Sequence, residues 1–147
     1  MKSRFLELRC AILSGTGAIS DLAAVISERG YHRPAVVCDE AVLESGPNIA
    51  SAISRLENAV VVKYPGGREP TYAMLDETTE QLRTDGALED IDVWIGIGGG
   101  SAMDFAKGLA VLTTNSGPAI SFRGFPTEIN EPVPVVAVPT TTGTGSE

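Results

Sequence analysis

The chain has 147 residues, of which 43% are hydrophobic and 20% are charged, and its net charge is −8. This length and composition fit one globular domain and exclude an intrinsically disordered chain. Because the charge is negative and no basic patch is present, a nucleic acid is excluded as a partner.

No segment predicts export or membrane insertion. No run approaches the about 20 apolar residues that span a bilayer, and residues 1–5 lack the apolar core of a signal peptide. The two cysteines, Cys10 and Cys38, lie in apolar runs and are predicted to be buried thiols. We therefore expect a soluble, cytoplasmic protein with no membrane partner.

The first part of the chain predicts two strand–helix units. A strand from Phe5 to Leu13 leads through a Gly15-x-Gly17 turn into a helix over residues 18–29. The second strand, residues 34–38, ends at Asp39. The Gly-x-Gly turn alone is a weak signal for a dinucleotide site.

Asp39 is the first candidate binding residue. A carboxylate at the carboxyl end of the second strand of a nucleotide-binding unit accepts hydrogen bonds from both ribose hydroxyls and repels a 2′-phosphate. It follows Gly15-x-Gly17 at about the interval of 20 residues that this role requires. The alternative is that Asp39 caps a helix over residues 41–43, and the two roles are compatible.

The middle of the chain continues the alternation of helices and strands. Residues 47–58 predict a helix, residues 59–63 a strand, residues 64–70 a loop and residues 71–84 a second helix. The acidic run over residues 76–80 is predicted to be the solvated face of that helix.

The most informative stretch is a buried strand that runs into a glycine-rich turn. Residues 91–97 are almost continuously apolar, as in a parallel strand covered on both faces. Gly98, Gly99 and Gly100 follow, and Ser101 is predicted to cap a helix, with Asp104 near the capping-box position. Amide groups and the helix dipole would converge there on a phosphate or another anion. The alternative is a tight turn before an ordinary helix.

A second loop of this kind ends the chain. After a helix over 101–112 and an irregular connection over 115–132, residues 133–138 predict a strand. Thr140, Thr141 and Thr144 then lie in a loop rich in hydroxyl groups and glycine, unless this segment is a flexible tail. A domain seldom ends straight after a strand, so we expect the chain to be part of a longer protein.

The alternation of strands and helices predicts an α/β fold. We expect a Rossmann-like, mostly parallel sheet with helices on both faces, formed by residues 1–147 as one NAD(P)-binding domain. Both polar loops would lie at the carboxyl ends of parallel strands.

Two motifs resemble those of a known family. The sequence GIGGGSAMDFAK over residues 96–107 is similar to the GGGSxxDxxK signature of the iron-containing (group III) alcohol dehydrogenases, and VPTTTGTGSE over residues 138–147 resembles their PTTxGTGSE segment. The resemblance implies a dehydroquinate synthase-like N-terminal domain that binds NAD or NADP. It also implies a following helical domain that holds Fe2+ or another divalent metal through one aspartate and three histidines.

The resemblance assigns a cofactor-binding role to eight residues of this chain. Asp39 would hold the adenosine ribose. Four residues would cradle the pyrophosphate, namely Gly98, Gly99, Gly100 and Ser101, and three would contact the phosphate and the nicotinamide-side ribose, namely Thr140, Thr141 and Thr144. Asp104 and Lys107 would support the helix and the site. Asp39 favours NAD, with NADP as the alternative.

Two departures from the family pattern concern the chemistry. Glu69-Pro70-Thr71 stands where the family often has Asn-Pro-Thr, which puts the contact of that asparagine in doubt. The only histidine, His32, is predicted on the surface, and no metal site can be assembled from this sequence. We therefore assign no catalytic or metal-binding residue to this chain and expect it to be inactive alone.

In the intact enzyme the implied reaction is hydride transfer between the cofactor and a small alcohol or aldehyde. Alternatives are the cofactor domain of a related glycerol or sugar-phosphate dehydrogenase or a dehydroquinate synthase-like enzyme, and a stand-alone nucleotide-binding module. The resemblance also implies a homo-oligomer.

Overall fold

The computed structural model describes residues 11–124 and 129–146. Its helices are Leu22–Glu28 (α1), Glu40–Ser45 (α2), Pro47–Ser54 (α3), Tyr72–Thr84 (α4) and Gly100–Thr114 (α5). Its strands are Pro34–Asp39 (β1), Val60–Tyr64 (β2), Val93–Gly98 (β3) and Val135–Pro139 (β4). Short 3-10 turns lie at Ala18–Asp21, Leu88–Asp90 and Ala119–Phe122.

The four described strands form one parallel sheet in the order β2-β1-β3-β4. The predicted α/β fold with a parallel sheet is therefore confirmed. The chain moves from β1 to β2 in one direction and then returns to place β3 on the other side of β1. A crevice forms where the direction reverses, and in open α/β sheets ligands bind at such a point, outside the carboxyl ends of the strands.

Helices cover both faces of the sheet. On one face, Val36, Cys38 and Ile95 pack with apolar side chains of α1 and α3. On the other face, Val37 and Trp94 pack with α4 and α5. Neighbouring residues of one strand thus serve opposite layers, which explains the near-continuous apolar sequence of β3.

Close contacts of two glycines fix the position of α5. A Cβ at Gly96 would lie 2.9 Å from the Cα of Met103, so β3 and α5 approach more closely there than a side chain allows. A Cβ at Gly108 would lie 2.8 Å from both terminal methyl carbons of Leu75 on α4. Glycine at these two positions therefore lets α5 pack closely against β3 and against α4.

Two predicted elements differ from the structure. Of the strand predicted over Phe5 to Leu13, residues 5–10, which include Cys10, lie outside the described residues, and residues 11–13 are not in a strand. The helix predicted over 47–58 ends at Ser54 because the chain tightens there: the amide of Leu56 donates to the carbonyl of Ile53, and Asn58 has a φ of 55°.

The acidic run on α4 is not wholly a solvated face. The carboxylate of Asp76 accepts a hydrogen bond of 2.7 Å from the amide of Ala119 and so anchors the third 3-10 turn. The connection after α5 is also fastened, because the side-chain oxygen of Asn115 accepts from the amide of Asn130 at 2.7 Å. Parts of the predicted irregular connection are therefore held against the fold by side-chain hydrogen bonds.

The predictions that Cys38 is a buried thiol and that His32 lies on the surface are confirmed. Cys38 is a buried, free thiol, and burial together with the neighbouring Asp39 raises its pKa to about 11. His32 is exposed. Within the described ranges, no helix combines the length and the apolar character needed to cross a membrane.

Candidate functional site

The candidate site is a cleft of about 370 Å³ at the point where the strand order reverses. Asp39 at the end of β1, residues 67–69 of the loop after β2 and residues 99–102 at the start of α5 line it. A second cleft of about 290 Å³ lies near the amino end of β1, between α1 and residues 55–58. The first cleft contains the predicted glycine turn, and the second does not.

Gly98 makes the sharp turn between β3 and α5. Its φ is +148°, a conformation that L side chains rarely adopt. A Cβ there would also lie 2.9 Å from the Cβ of Ala102 and 3.2 Å from the Cβ of Asp39. Glycine is therefore required for backbone and packing reasons together, and the turn brings the ends of β1 and β3 into contact.

The first turn of α5 is open to a ligand. The helix begins at Gly100, its N-cap is Gly99, and no side chain caps it. The prediction that Ser101 is the N-cap is wrong, because Gly99 is extended and already accepts the first helical hydrogen bond from Met103. Amide groups that a serine cap would have satisfied are left to other acceptors, and the dipole favours an anion there.

The threonine loop packs against the glycine turn instead of extending away from the fold. The amide of Thr140 donates to the carbonyl of Gly98 at 2.9 Å. A Cβ at Gly100 would lie 3.2 Å from the Cβ of Thr144, and one at Gly99 would lie 3.4 Å from the Oγ1 of Thr141. The structure thus brings together all the predicted residues of the two loops, and the three threonines are exposed.

An ion-pair brace joins these loops. Lys107 Nζ donates to Asp104 Oδ1 at 3.0 Å and also to the carbonyl of Ser146. The Oγ of Ser146, a buried residue, donates to Asp104 Oδ2 at 3.1 Å. The acid and the base of the first motif therefore hold the end of the second motif against α5, as expected of supporting residues.

Asp39 caps α2, so the alternative considered for it is confirmed. Its Oδ1 accepts from the amides of Ala41 at 2.9 Å and Val42 at 3.4 Å. The other oxygen, Oδ2, lies 3.0 Å from where a Cβ of Gly66 would be. The cap uses one carboxylate oxygen and leaves the second beside the loop that follows β2, so capping remains compatible with ribose binding.

Sequence reasoning missed Tyr64, which lies under the cleft. Its ring is buried against Phe105, with centroids 5.2 Å apart, and its hydroxyl donates to the carbonyl of Arg68 at 2.7 Å. Burial raises the pKa of Tyr64, the charges of Glu69 and Asp39 raise it further, and a hydrogen bond with Ser101 lowers it. The available signal was an aromatic residue with a hydroxyl group at the end of an apolar strand.

These residues fit a dinucleotide and do not form a metal site. The uncapped helix, the close glycine turn and the nearby carboxylate match the phosphate and ribose groups of such a cofactor. Across residues 11–124 and 129–146, no group of three or more His, Cys, Asp or Glu side chains is placed to hold a metal ion.

Comparison with curated proteins gives relatives that act on alcohols or aldehydes. The chain is 35% identical to the 4-hydroxybutyrate dehydrogenase of Cupriavidus necator over 89% of this chain and 34% of that protein. It is 31% identical to alcohol dehydrogenase 4 of Schizosaccharomyces pombe over 92% of this chain and 32% of that protein. The chain thus spans about a third of the length of these relatives.

Solved structures of the same kind superpose well. The sulfoacetaldehyde reductase of Bifidobacterium kashiwanohense, determined in complex with NAD+, matches with a TM-score of 0.73 and 25% identity over 90% of this chain and 35% of that one. The alcohol dehydrogenase from Oenococcus oeni matches with a TM-score of 0.75 and 29% identity over 89% and 34%. The family model for iron-containing alcohol dehydrogenases matches residues 10–147. This chain belongs to the iron-containing alcohol dehydrogenase family.

Proposed function

We propose that residues 1–147 are the NAD-binding domain of a metal-dependent alcohol dehydrogenase that interconverts alcohols and aldehydes or ketones by hydride transfer. The observation that carries the proposal is the uncapped start of α5 beside Asp39, at the reversal point of a parallel sheet. Family membership supports the reaction class and favours it over a dehydroquinate synthase-like activity or a stand-alone module.

Each part of the cleft has a binding task in this proposal. Backbone amides of Gly99, Gly100 and Ser101 donate to the pyrophosphate, and Gly98 lets the turn pass close beneath it. Asp39 accepts hydrogen bonds from the adenosine ribose through the oxygen that is less engaged in capping α2. The threonine loop contacts the phosphate and the nicotinamide-side ribose through the hydroxyls of Thr140, Thr141 and Thr144.

The chain's contribution to catalysis is positioning. The bound nicotinamide supplies the hydride acceptor or donor, and this domain holds it in one orientation. The hydrogen bonds among Lys107, Asp104 and Ser146 hold the glycine turn and the threonine loop, which would both contact the cofactor, at a fixed distance from each other. A following helical domain would hold Fe2+ or another divalent metal, and we assign no metal ligand to the present residues.

We further propose NAD over NADP, a small alcohol or aldehyde as substrate, a cytoplasmic location and a homo-oligomeric enzyme. The carboxylate of Asp39 supports the cofactor preference, because it would lie close to a 2′-phosphate. The named activities of the relatives, which include 4-hydroxybutyrate dehydrogenase and sulfoacetaldehyde reductase, support the substrate class.

A titration of the 15N-labelled chain with NAD tests the proposal. We expect saturable amide shifts at residues 98–101 and 140–144, with weak affinity because a second domain would complete the cleft. Gly98→Ala should abolish them, because its Cβ would strike Ala102 and Asp39. Gly86→Ala is the matched control, since Gly86 also has a positive φ but no atom within 4 Å of its Cβ position. No shifts at millimolar NAD would refute the proposal.

A further inference from the structure

We infer that Glu69 is a second carboxylate on the adenosine-ribose side of the cleft, that Tyr64 positions it, and that with Asp39 it disfavours a 2′-phosphate. The inference rests on the proposed nicotinamide-dinucleotide function. It assigns a specificity role to two residues outside the glycine and threonine loops.

The placement of Glu69 is the first observation. It lines the cleft together with Asp39 and the first turn of α5, although it belongs to the loop after β2. Asp39 and Glu69 therefore contribute two carboxylates to the lining of the same cleft.

Tyr64 holds the segment that carries Glu69. Its hydroxyl donates to the carbonyl of Arg68, the residue that immediately precedes Glu69, while its ring packs on Phe105 of α5. Ser101, in the first turn of that helix, lines the same cleft as Tyr64. The phenol thus links the backbone beside Glu69 to the helix that would bind the pyrophosphate.

Gly66 places the same loop close to Asp39. A Cβ there would lie 3.0 and 3.2 Å from the two carboxylate oxygens of Asp39, so the loop backbone passes directly over that side chain. The loop therefore passes over Asp39 at Gly66 and is held by a hydrogen bond at Arg68. Glu69 follows within this held segment.

Arg68 is the opposing charge. It also lines the cleft, and an arginine near the ribose is the usual partner of a 2′-phosphate. Two carboxylates against one guanidinium leave a negative sum, which disfavours an added phosphate dianion. The effect of removing each charge separately distinguishes the carboxylate role from an arginine-bound phosphate.

The test measures dissociation constants of NAD and NADP for the 147-residue chain by the same 15N titration, in the wild type and in Glu69→Gln, Tyr64→Phe and Arg68→Gln. We expect the wild type to prefer NAD and Glu69→Gln to raise the affinity for NADP relative to NAD about tenfold, equivalent to about 1.4 kcal/mol. Glu57→Gln, which removes an exposed carboxylate at the second cleft, should leave the ratio unchanged.

Tyr64→Phe keeps the ring contact with Phe105 and removes the hydrogen bond that the hydroxyl donates to the carbonyl of Arg68. We expect it to shift the NADP to NAD ratio in the same direction as Glu69→Gln, whereas a merely structural role would weaken both nucleotides equally. If the wild type binds NAD and Glu69→Gln leaves the ratio of NADP to NAD affinity unchanged, this inference is overturned and the proposed function is not. Arg68→Gln should lower the affinity for NADP relative to NAD further, because it removes the opposing charge, and a rise in relative NADP affinity in this variant would contradict the charge argument. A wild type that binds neither nucleotide overturns the proposed function together with the inference.

Discussion

Gly96→Ala tests whether the cleft depends on the close packing of α5 against β3. The new Cβ would lie 2.9 Å from Met103 Cα and 3.1 Å from Ala106 Cβ. Carbon atoms in ordinary contact are about 3.5–4.0 Å apart, so the helix must move outward by about 0.5–1 Å. Because the contact is with a backbone atom of Met103, no change of side-chain rotamer can relieve it. Overpacking of this kind costs about 1–3 kcal/mol of the free energy of unfolding.

Urea unfolding followed by tryptophan fluorescence measures this cost. Trp94 is the only tryptophan of the chain, it is fully buried in β3, and its indole donates to Thr113 of α5 at 2.9 Å, so it reports on the same interface. For a denaturant dependence of about 1–3 kcal/mol per molar urea, the midpoint should fall by about 1 M.

The matched control is Gly99→Ala, because its Cβ meets only Thr141, at the ordinary contact distance of 3.4 Å, and its φ is negative. We expect its stability to lie within about 0.5 kcal/mol of the wild type. If Gly96→Ala were as stable as this control, the argument that α5 is fixed by backbone contact would be refuted.

Three further predictions concern Lys107, Asp39 and Cys38. Lys107→Met removes the donor that holds the carbonyl of Ser146, so NAD affinity should fall about fivefold in an isothermal titration, whereas Lys63→Met on the exposed side of β2 should have no effect. Asp39→Asn keeps a good N-cap but loses the charge, so stability should change by less than about 0.5 kcal/mol while NADP gains on NAD about tenfold. The pKa of the Cys38 thiol is raised from 9.0 to about 11, so the folded state holds this proton more tightly than the unfolded state does. The resulting contribution to the free energy of unfolding is complete below about pH 9 and is lost as the pH rises towards 11. Urea midpoints should therefore fall over this pH range in the wild type and fall less in Cys38→Ala.

The sheet and its polar edge were predictable because their signals are local and periodic. The continuous apolar run of β3 and the hydroxyl-rich loop after β4 each predict an element and its position on the sheet. The cap of α5 was not predictable in the same way. Whether Gly99 or Ser101 begins the helix depends on one backbone conformation, and both residue types occur at N-caps.

Long-range contacts account for the other failures. Asp76 lies in an acidic run typical of a solvated face, but its partner is the amide of Ala119, which is 43 residues away. The sequence places Tyr64 at the end of a strand, but its role depends on the carbonyl of Arg68 and on the ring of Phe105 in a later helix. The partners of Asp76 and Tyr64 do not follow from a local sequence pattern, so these interactions can be seen only in the folded structure.

Among the three consecutive glycines, the structure identifies Gly99 as the one that indicates a bound ligand. Gly98 is required by its positive φ and by its contacts with Ala102 and Asp39. A Cβ at Gly100 would lie 3.1 Å from the Oγ of Ser146 and 3.2 Å from the Cβ of Thr144, so packing within the chain favours glycine there too. Gly99 has neither a positive φ nor a close contact, and nothing in the fold demands glycine there. It is also the N-cap of α5, where a side chain would stand beside a bound phosphate. We therefore expect Gly99→Ala to fold as well as the wild type and to lose at least tenfold in NAD affinity, measured by the 15N titration. Unchanged affinity would mean that the triple glycine serves the packing of the two loops alone.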